Sequence, residues 1–249
     1  MTQKEMLQIV QQQLAVDLNC STGDLMCDSS RFIFTEAKDN PGRRPFPREK
    51  RHFEMATMGR SVVVSATPDI LDIVKPMLEG KTRDEGFSMP FVYGHTICYL
   101  PDLKTIKEPN PPEGFDYEMI EQDGMPALYA VKGFNNAIQY DIHRPRPDVL
   151  VWLAKKDGII VGMAGASADC AKMWQIGIDV LPEYRSHGLA VFLVTRLAVE
   201  ILNRGYVPYY STSESNIASQ RVAFRSGFFP AWACTYKGKF DGFETAPIG

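Results

Sequence analysis

The 249-residue chain lacks a basic surplus: 27 lysines and arginines stand against 30 aspartates and glutamates, for a formal net charge of −3. A nucleic-acid binder usually carries a clear basic excess, so that class is not indicated, and the slight acidity weakly favours cationic ligands. Long apolar runs are also missing. The first twenty residues, MTQKEMLQIVQQQLAVDLNC, scatter charges and glutamines where a signal peptide needs an apolar core. No stretch approaches the roughly 20 apolar residues that cross a bilayer, and a cytoplasmic location is the expectation. The five cysteines, Cys20, Cys27, Cys98, Cys170 and Cys234, are odd in number and far apart, with no CxxC pair. Neither a disulfide framework nor a metal site is therefore expected. The GxxxxGK[ST] of a Walker loop and the GxGxxG of dinucleotide folds are absent as well.

What is present is the composition of an ordinary globular protein, 45% apolar and 23% charged, in a chain long enough for one large domain or two modest ones. Thr2 and Glu5 have capping-box spacing ahead of Met6, Val10, Leu14 and Leu18, which predicts an N-terminal helix. The runs RFIFTEA, HFEMAT and SVVVSA predict strands. TPDILDIVKPMLEG predicts a helix, with Thr67 as cap and Pro68 at its first position. TICYLP is a further apolar stretch. DNPGRRPFPREKR, basic and rich in proline, is expected to be a solvated loop.

DLKTIKEPNPPEG holds three prolines in polar surroundings and predicts an extended connector. The expected organisation is an N-terminal α/β accessory domain over 1–105, a linker over 106–114 and a second domain over 115–249. In that second part FDYEMIE predicts a strand and MPALYAVKGF a helix. After the proline-restricted turn HRPRPD, VLVWLA and GIIVGMAGAS predict a hairpin closed by Lys156, Asp157 and Gly158. MWQIGIDV and VPYYSTS are further strands, LAVFLVTRLAVEILNR and NIASQRVAFRS helices, and AWACTYKG a final strand.

The turn YRSHGLA, between a strand and a strong helix, is where the pattern carries chemistry. A helix entered directly from a strand leaves its first N–H groups without internal partners, and the peptide dipole adds partial positive charge there. Phosphate or pyrophosphate is a natural ligand for such an end. Gly188 would let the backbone approach the anion, with Arg185 and the amides of Ser186, His187 and Gly188 around it.

Three segments, GIIVGMAGAS, IDVLPEYRSHGLA and NIASQRVAFRSGFFPA, together resemble the GNAT superfamily of acyl-CoA-dependent N-acetyltransferases, over about residues 115–237. The resemblance implies an α/β (α+β) fold: a mixed, largely antiparallel sheet flanked by helices, preceded here by the smaller accessory domain. It implies acetyl-CoA as acyl-donor cosubstrate, lying between two splayed strands. Backbone groups of Ile178 and Val180 would pair with its pantetheine arm. The loop from Arg185 through Ser186, His187, Gly188, Leu189 and Ala190 would hold the pyrophosphate, and Asn216 and Ser219 would reach the arm's far side. The expected partner is a small-molecule or peptide amine, without nucleic acid or membrane; a homodimer is admitted.

Two departures from the family pattern matter for mechanism. Attack on a thioester needs a neutral amine, although a lysine-like amine has a pKa of about 10.4, so a base is required. Where many members carry a glutamate on the strand, this chain has Gln175, which positions water but accepts no proton usefully. Where many carry a tyrosine in the last helix, it has Ala223 beside Phe224. Substitutes expected near the site are Glu214 and Tyr236, with Asp179, Ser215, Cys234, Tyr209 and Tyr210 as weaker candidates. His187 is expected to play a structural part in the loop. The leading expectation is direct acetyl transfer in a ternary complex; the rival is an acyl-CoA-binding sensor with little or no turnover.

Overall fold

A computed structural model describes residues 1–45, 51–140, 145–235 and 237–240, and the backbone of 243–245. Helix α1 (Gln3–Leu18) and α2 (Thr22–Leu25) precede β1 (Phe32–Glu36), β2 (Phe53–Thr57) and β3 (Val62–Ala66). Next come α3 (Pro68–Leu78), α4 (Arg83–Phe87), β4 (Val92–Tyr93), β5 (Thr96–Pro101), β6 (Asp116–Glu121) and α5 (Met125–Leu128). A hairpin-rich stretch follows: β7 (Asp148–Lys156), β8 (Ile159–Ala168) and β9 (Met173–Val180). The chain then runs through α6 (Leu189–Asn203), β10 (Val207–Ser213), α7 (Ile217–Arg225), β11 (Phe228–Thr235), β12 (Lys237–Phe240) and β13 (Phe243–Thr245).

The residues divide into two compact units: Met1–Met6, Tyr99–Thr212 and Asn216–Phe229 in the first, and Leu7–Cys98, Ser213–Ser215 and Pro230–Gly249 in the second. The proline-rich segment over 106–114 lies within the first unit and forms no helix or strand.

In the second unit β1 runs parallel to β3, β3 antiparallel to β2, and β2 antiparallel to the Ala233–Thr235 end of β11. Helix α3 buries Ile70, Val74 and Leu78, one per turn, against Phe53, Met55, Val62 and Val64. Thr67 and Pro68 stand where expected at its start, but the Thr67 hydroxyl does not cap the helix. It accepts from the His52 backbone N–H at 3.3 Å. The basic loop is only partly described, since 46–50 lie outside the described residues. Its Arg44 is not solvated: it is 6% exposed, and its Nε donates to Asp17 Oδ2 at 2.6 Å. The Arg44 backbone N–H also donates to Asp17 Oδ1 at 2.8 Å, and a partner 27 residues upstream is nothing a local charge run reveals.

The first unit holds the sheet β10-β9-β8-β7-β6, antiparallel throughout except for the parallel β9/β10 pair. Asp157 and Gly158, both at positive φ, close the β7/β8 hairpin in the twisted turn that suits such strands. Helix α6 covers one sheet face with Leu189, Phe192, Leu193, Leu197 and Ile201. The segment over 125–140 covers the other, where Met125, Leu128, Phe134, Ala137 and Ile138 pack on Val151, Leu153 and Met163. The helix predicted over 125–134 is only the four residues of α5. Packing overrides its periodicity, because residues 136–137 must lie flat on the sheet. There Gly165 and Gly177 are opposite each other, and a Cβ on either would stand 1.9 or 1.7 Å from a carbonyl oxygen of Ala137 or Asn136. Asp179 anchors the segment by accepting from Asn136 N (2.7 Å), Asn136 Nδ2 (2.6 Å) and Ala137 N (3.0 Å).

Candidate acyl-donor site

Strands β9 and β10 pair in register from Met173/Val207 to Ile176/Tyr210 and no further, although β9 continues to Val180 and β10 to Ser213. On its other edge β9 stays paired with β8 all the way to Val180. The two parallel strands thus form a fork, whose inner backbone groups have no ladder partner across it. Such groups need water or a ligand, and an extended chain-like molecule is one that can pair with them. Ile178 and Val180 lie on the open arm of β9.

Beyond the fork, a short 3-10 turn at Pro182–Tyr184 leads into the loop and α6. Ser186 (φ 65°) and Gly188 (φ 82°) are both left-handed. For a residue with a Cβ, that conformation costs on the order of 1 kcal/mol, which glycine avoids. Gly188 is the N-cap of α6, and no side chain caps that end. Residues 185–188 are exposed, Leu189 is buried and Ala190 half-buried. The Arg185 Nε donates to the Val180 carbonyl at 3.1 Å, tying the loop to the strand end. His187 Nδ1 lies 2.8 Å from the Arg185 carbonyl, which can only accept, so this nitrogen carries the proton and the imidazole braces the loop. An uncapped N-terminus of a 15-residue helix at the fork's end suits a ligand with an extended arm and an anionic group, such as an acyl-CoA.

Asn216 caps α7, accepting from the Ser219 N–H at 3.1 Å. The Ser219 hydroxyl is 2.5 Å from that of Tyr210, at the last paired position of the fork. Burial pushes the Tyr210 phenol above its usual range, so it stays protonated. Its neighbour Tyr209 points to the opposite face and donates to the buried Asp169. Ala223 is fully buried and Phe224 is 55% exposed, so neither supplies a proton donor.

The other sequence candidates are dispersed. Gln175 is at the fork, its Oε1 accepting from Arg146 Nη1 at 2.9 Å and its Nε2 donating to Ser211 Oγ at 2.8 Å. Glu214 belongs to the second unit, where its carboxylate lies 2.9 Å from His95 Nδ1. Tyr236 lies outside the described residues. Asp179 is committed to the 136–137 amides. Sequence reading missed Arg146, Asp169 and Ser211. The period-two alternation that puts Ser211 on the face of Tyr209 was available, but nothing local ties Arg146, in a proline-rich turn, to a strand some thirty residues away.

Residues 114–228 match the model of the acetyltransferase (GNAT) family, and this part of the chain is a domain of that family. No curated protein matches the chain. Among solved structures, the chain is similar to a GNAT-family acetyltransferase from Colwellia psychrerythraea, at 14% identity over 95% of this chain and 72% of that one, with a TM-score of 0.48. It is also similar to a GNAT-family protein from Novosphingobium aromaticivorans, at 22% identity and a TM-score of 0.42, covering 59% of this chain and 65% of that one. A third is the aminoglycoside N-acetyltransferase AAC(6')-Iy, solved with CoA, at 20% identity over 49% and 93% of the two chains and a TM-score of 0.37. Among the described residues no helix is long and apolar enough to cross a membrane, and no cluster of three metal-ligating side chains occurs.

Proposed function

We propose that the protein binds acetyl-CoA in the β9/β10 fork and transfers its acetyl group directly to a primary amine on a small molecule or peptide, in the cytoplasm. The observation that carries this reading is the termination of β9/β10 pairing at Ile176/Tyr210, with the open end of β9 leading through a short 3-10 turn to an uncapped helix N-terminus at Gly188. The open strand arms would hold the pantetheine arm, and the amides from Arg185 to Ala190 the pyrophosphate. Backbone N–H groups inside the fork would polarise the thioester carbonyl, and holding amine and thioester together supplies much of the rate gain.

A sensor that binds acyl-CoA without efficient turnover is the second reading. It is favoured by Gln175, an amide already engaged on both sides, at the position of a base, and by the buried Ala223 at the position of an acid. Calorimetric titration with acetyl-CoA tests what the two readings share. Saturable binding is expected, with stabilisation of about 2.7 kcal/mol at a hundredfold excess over Kd, and its absence overturns both. Release of free thiol across a panel of amines then supports the enzyme, and saturable binding without release supports the sensor.

A further inference from the structure

Ser211 is the first residue of β10 beyond its last paired position, so it stands at the apex of the fork. Strand alternation puts it on the same face as Tyr209, whose register partner is Gln175, and Gln175 Nε2 donates to Ser211 Oγ at 2.8 Å. The direction of that bond is dictated by the chain. A guanidinium can only donate, so Arg146, 2.9 Å from the carboxamide, must face its oxygen and turn the NH2 group to Ser211. Arg146 is in turn 3.5 Å from Asp169, whose side chain is wholly buried and also accepts from Ser167 Oγ at 2.8 Å and from the Tyr209 hydroxyl. The Ser211 oxygen is therefore an acceptor toward Gln175, and its hydrogen has no acceptor among the described residues. A buried anion, a cation, an amide and a hydroxyl are aligned so that the last member presents a donor at the fork.

We infer that Ser211 donates a hydrogen bond to the sulfur that leaves during acetyl transfer, with Gln175 and Arg146 as positioning residues. This rests on the acyl-CoA reading of the fork. In the reaction the amine nitrogen forms a bond to the acetyl carbon, the carbon–sulfur bond breaks, and sulfur takes the electron pair. The Ser211 O–H stabilises the resulting thiolate, and the proton lost by the amine passes to solvent. The products are amide, CoA thiolate and one proton, with no further reactant. Ser211 thus meets the need left by alanine at position 223, by stabilising the thiolate rather than protonating it.

The test needs no acceptor amine. CoA is bound to saturation, and its thiol is titrated by thiolate absorbance against the same protein loaded with desulfo-CoA, which cancels the protein's own cysteines. The bound thiol should ionise about one pH unit, or tenfold in its ionisation constant, more readily in wild type than in Ser211→Ala. Ser211→Thr, which keeps the hydroxyl, should retain the wild-type value, and Gln175→Met should fall between. Equal thiol ionisation in wild type and Ser211→Ala overturns the role of Ser211 while the acyl-CoA reading stands. Failure of wild type to bind CoA saturably overturns the acyl-CoA reading itself, and this inference with it.

Discussion

The two edges of β9 differ sharply. Toward β8 seven consecutive residues, Trp174 to Val180, are in register with Ala168 to Gly162; toward β10 the pairing covers four residues and then stops. Nothing in MWQIGIDV distinguishes these edges, because a strand offers backbone donors and acceptors on both sides. The difference comes from the neighbours. The β8/β9 edge holds a sheet together, and the Gly165/Gly177 pair on it lets another segment lie flat on the same face. The β9/β10 edge leaves polar backbone unpaired, which costs stability unless something fills the gap. One strand thus combines a fully paired edge with a partly open one.

Three substitutions sharpen that contrast, beginning with the largest effect. Gly177→Val strikes the closed region: its Cβ would stand 1.7 Å from the Asn136 carbonyl oxygen, which is backbone and cannot rotate away. A loss of about 3 kcal/mol or more is expected in urea unfolding, and a variant of wild-type stability would mean that the 136–137 segment does not lie on β9. Gly188→Asp acts past the open end of the fork. It forces a side chain into φ 82° and sets a carboxylate against the proposed pyrophosphate site. Acetyl-CoA affinity should fall on the order of 100-fold by calorimetry, with a stability loss of only about 1 kcal/mol. Unchanged affinity would remove the loop from the site.

The smallest effect is expected at the fork's last pair. The Tyr210 phenol is raised by burial above its ordinary value of 10.0. Its contribution to stability is therefore complete below pH 10 and is lost as the pH rises through the raised value, because the unfolded chain ionises first. Tyr210→Phe should flatten the wild-type decline in unfolding free energy above pH 10. An equally steep decline in both proteins would show that Tyr210 is not buried in its protonated form.

Much of this arrangement was legible in residue patterns. Capping chemistry is local, so Thr2 and Glu5 form the bonds their spacing predicts. The Asp157-Gly158 hairpin and the left-handed Gly188 at the head of α6 likewise follow from residue types that tolerate those conformations. MPALYAVKGF misled because its helical periodicity is shared by a segment shaped by the sheet beneath it. AWACTYKG is strand from Ala231 to Thr235 in β11, while Lys237 and Gly238 belong to β12, which pairs with β4 and β13. Glu214 and Gln175 were expected as catalytic groups, and the side chains that engage them, His95 and Arg146, are 119 and 29 residues away, beyond the reach of any local pattern.

The sequence by itself determined most of the longer strands and helices, the hairpin, the Thr2/Glu5 cap and the glycine turn into α6, because each depends on residues within a few positions of one another. Only the tertiary structure decided where β10 leaves β9, which carboxylate is committed to holding a segment, and which hydroxyl is left with a hydrogen to donate. Those outcomes depend on long-range pairing and on the rule that a donor faces an acceptor, and a linear string does not show which groups will meet.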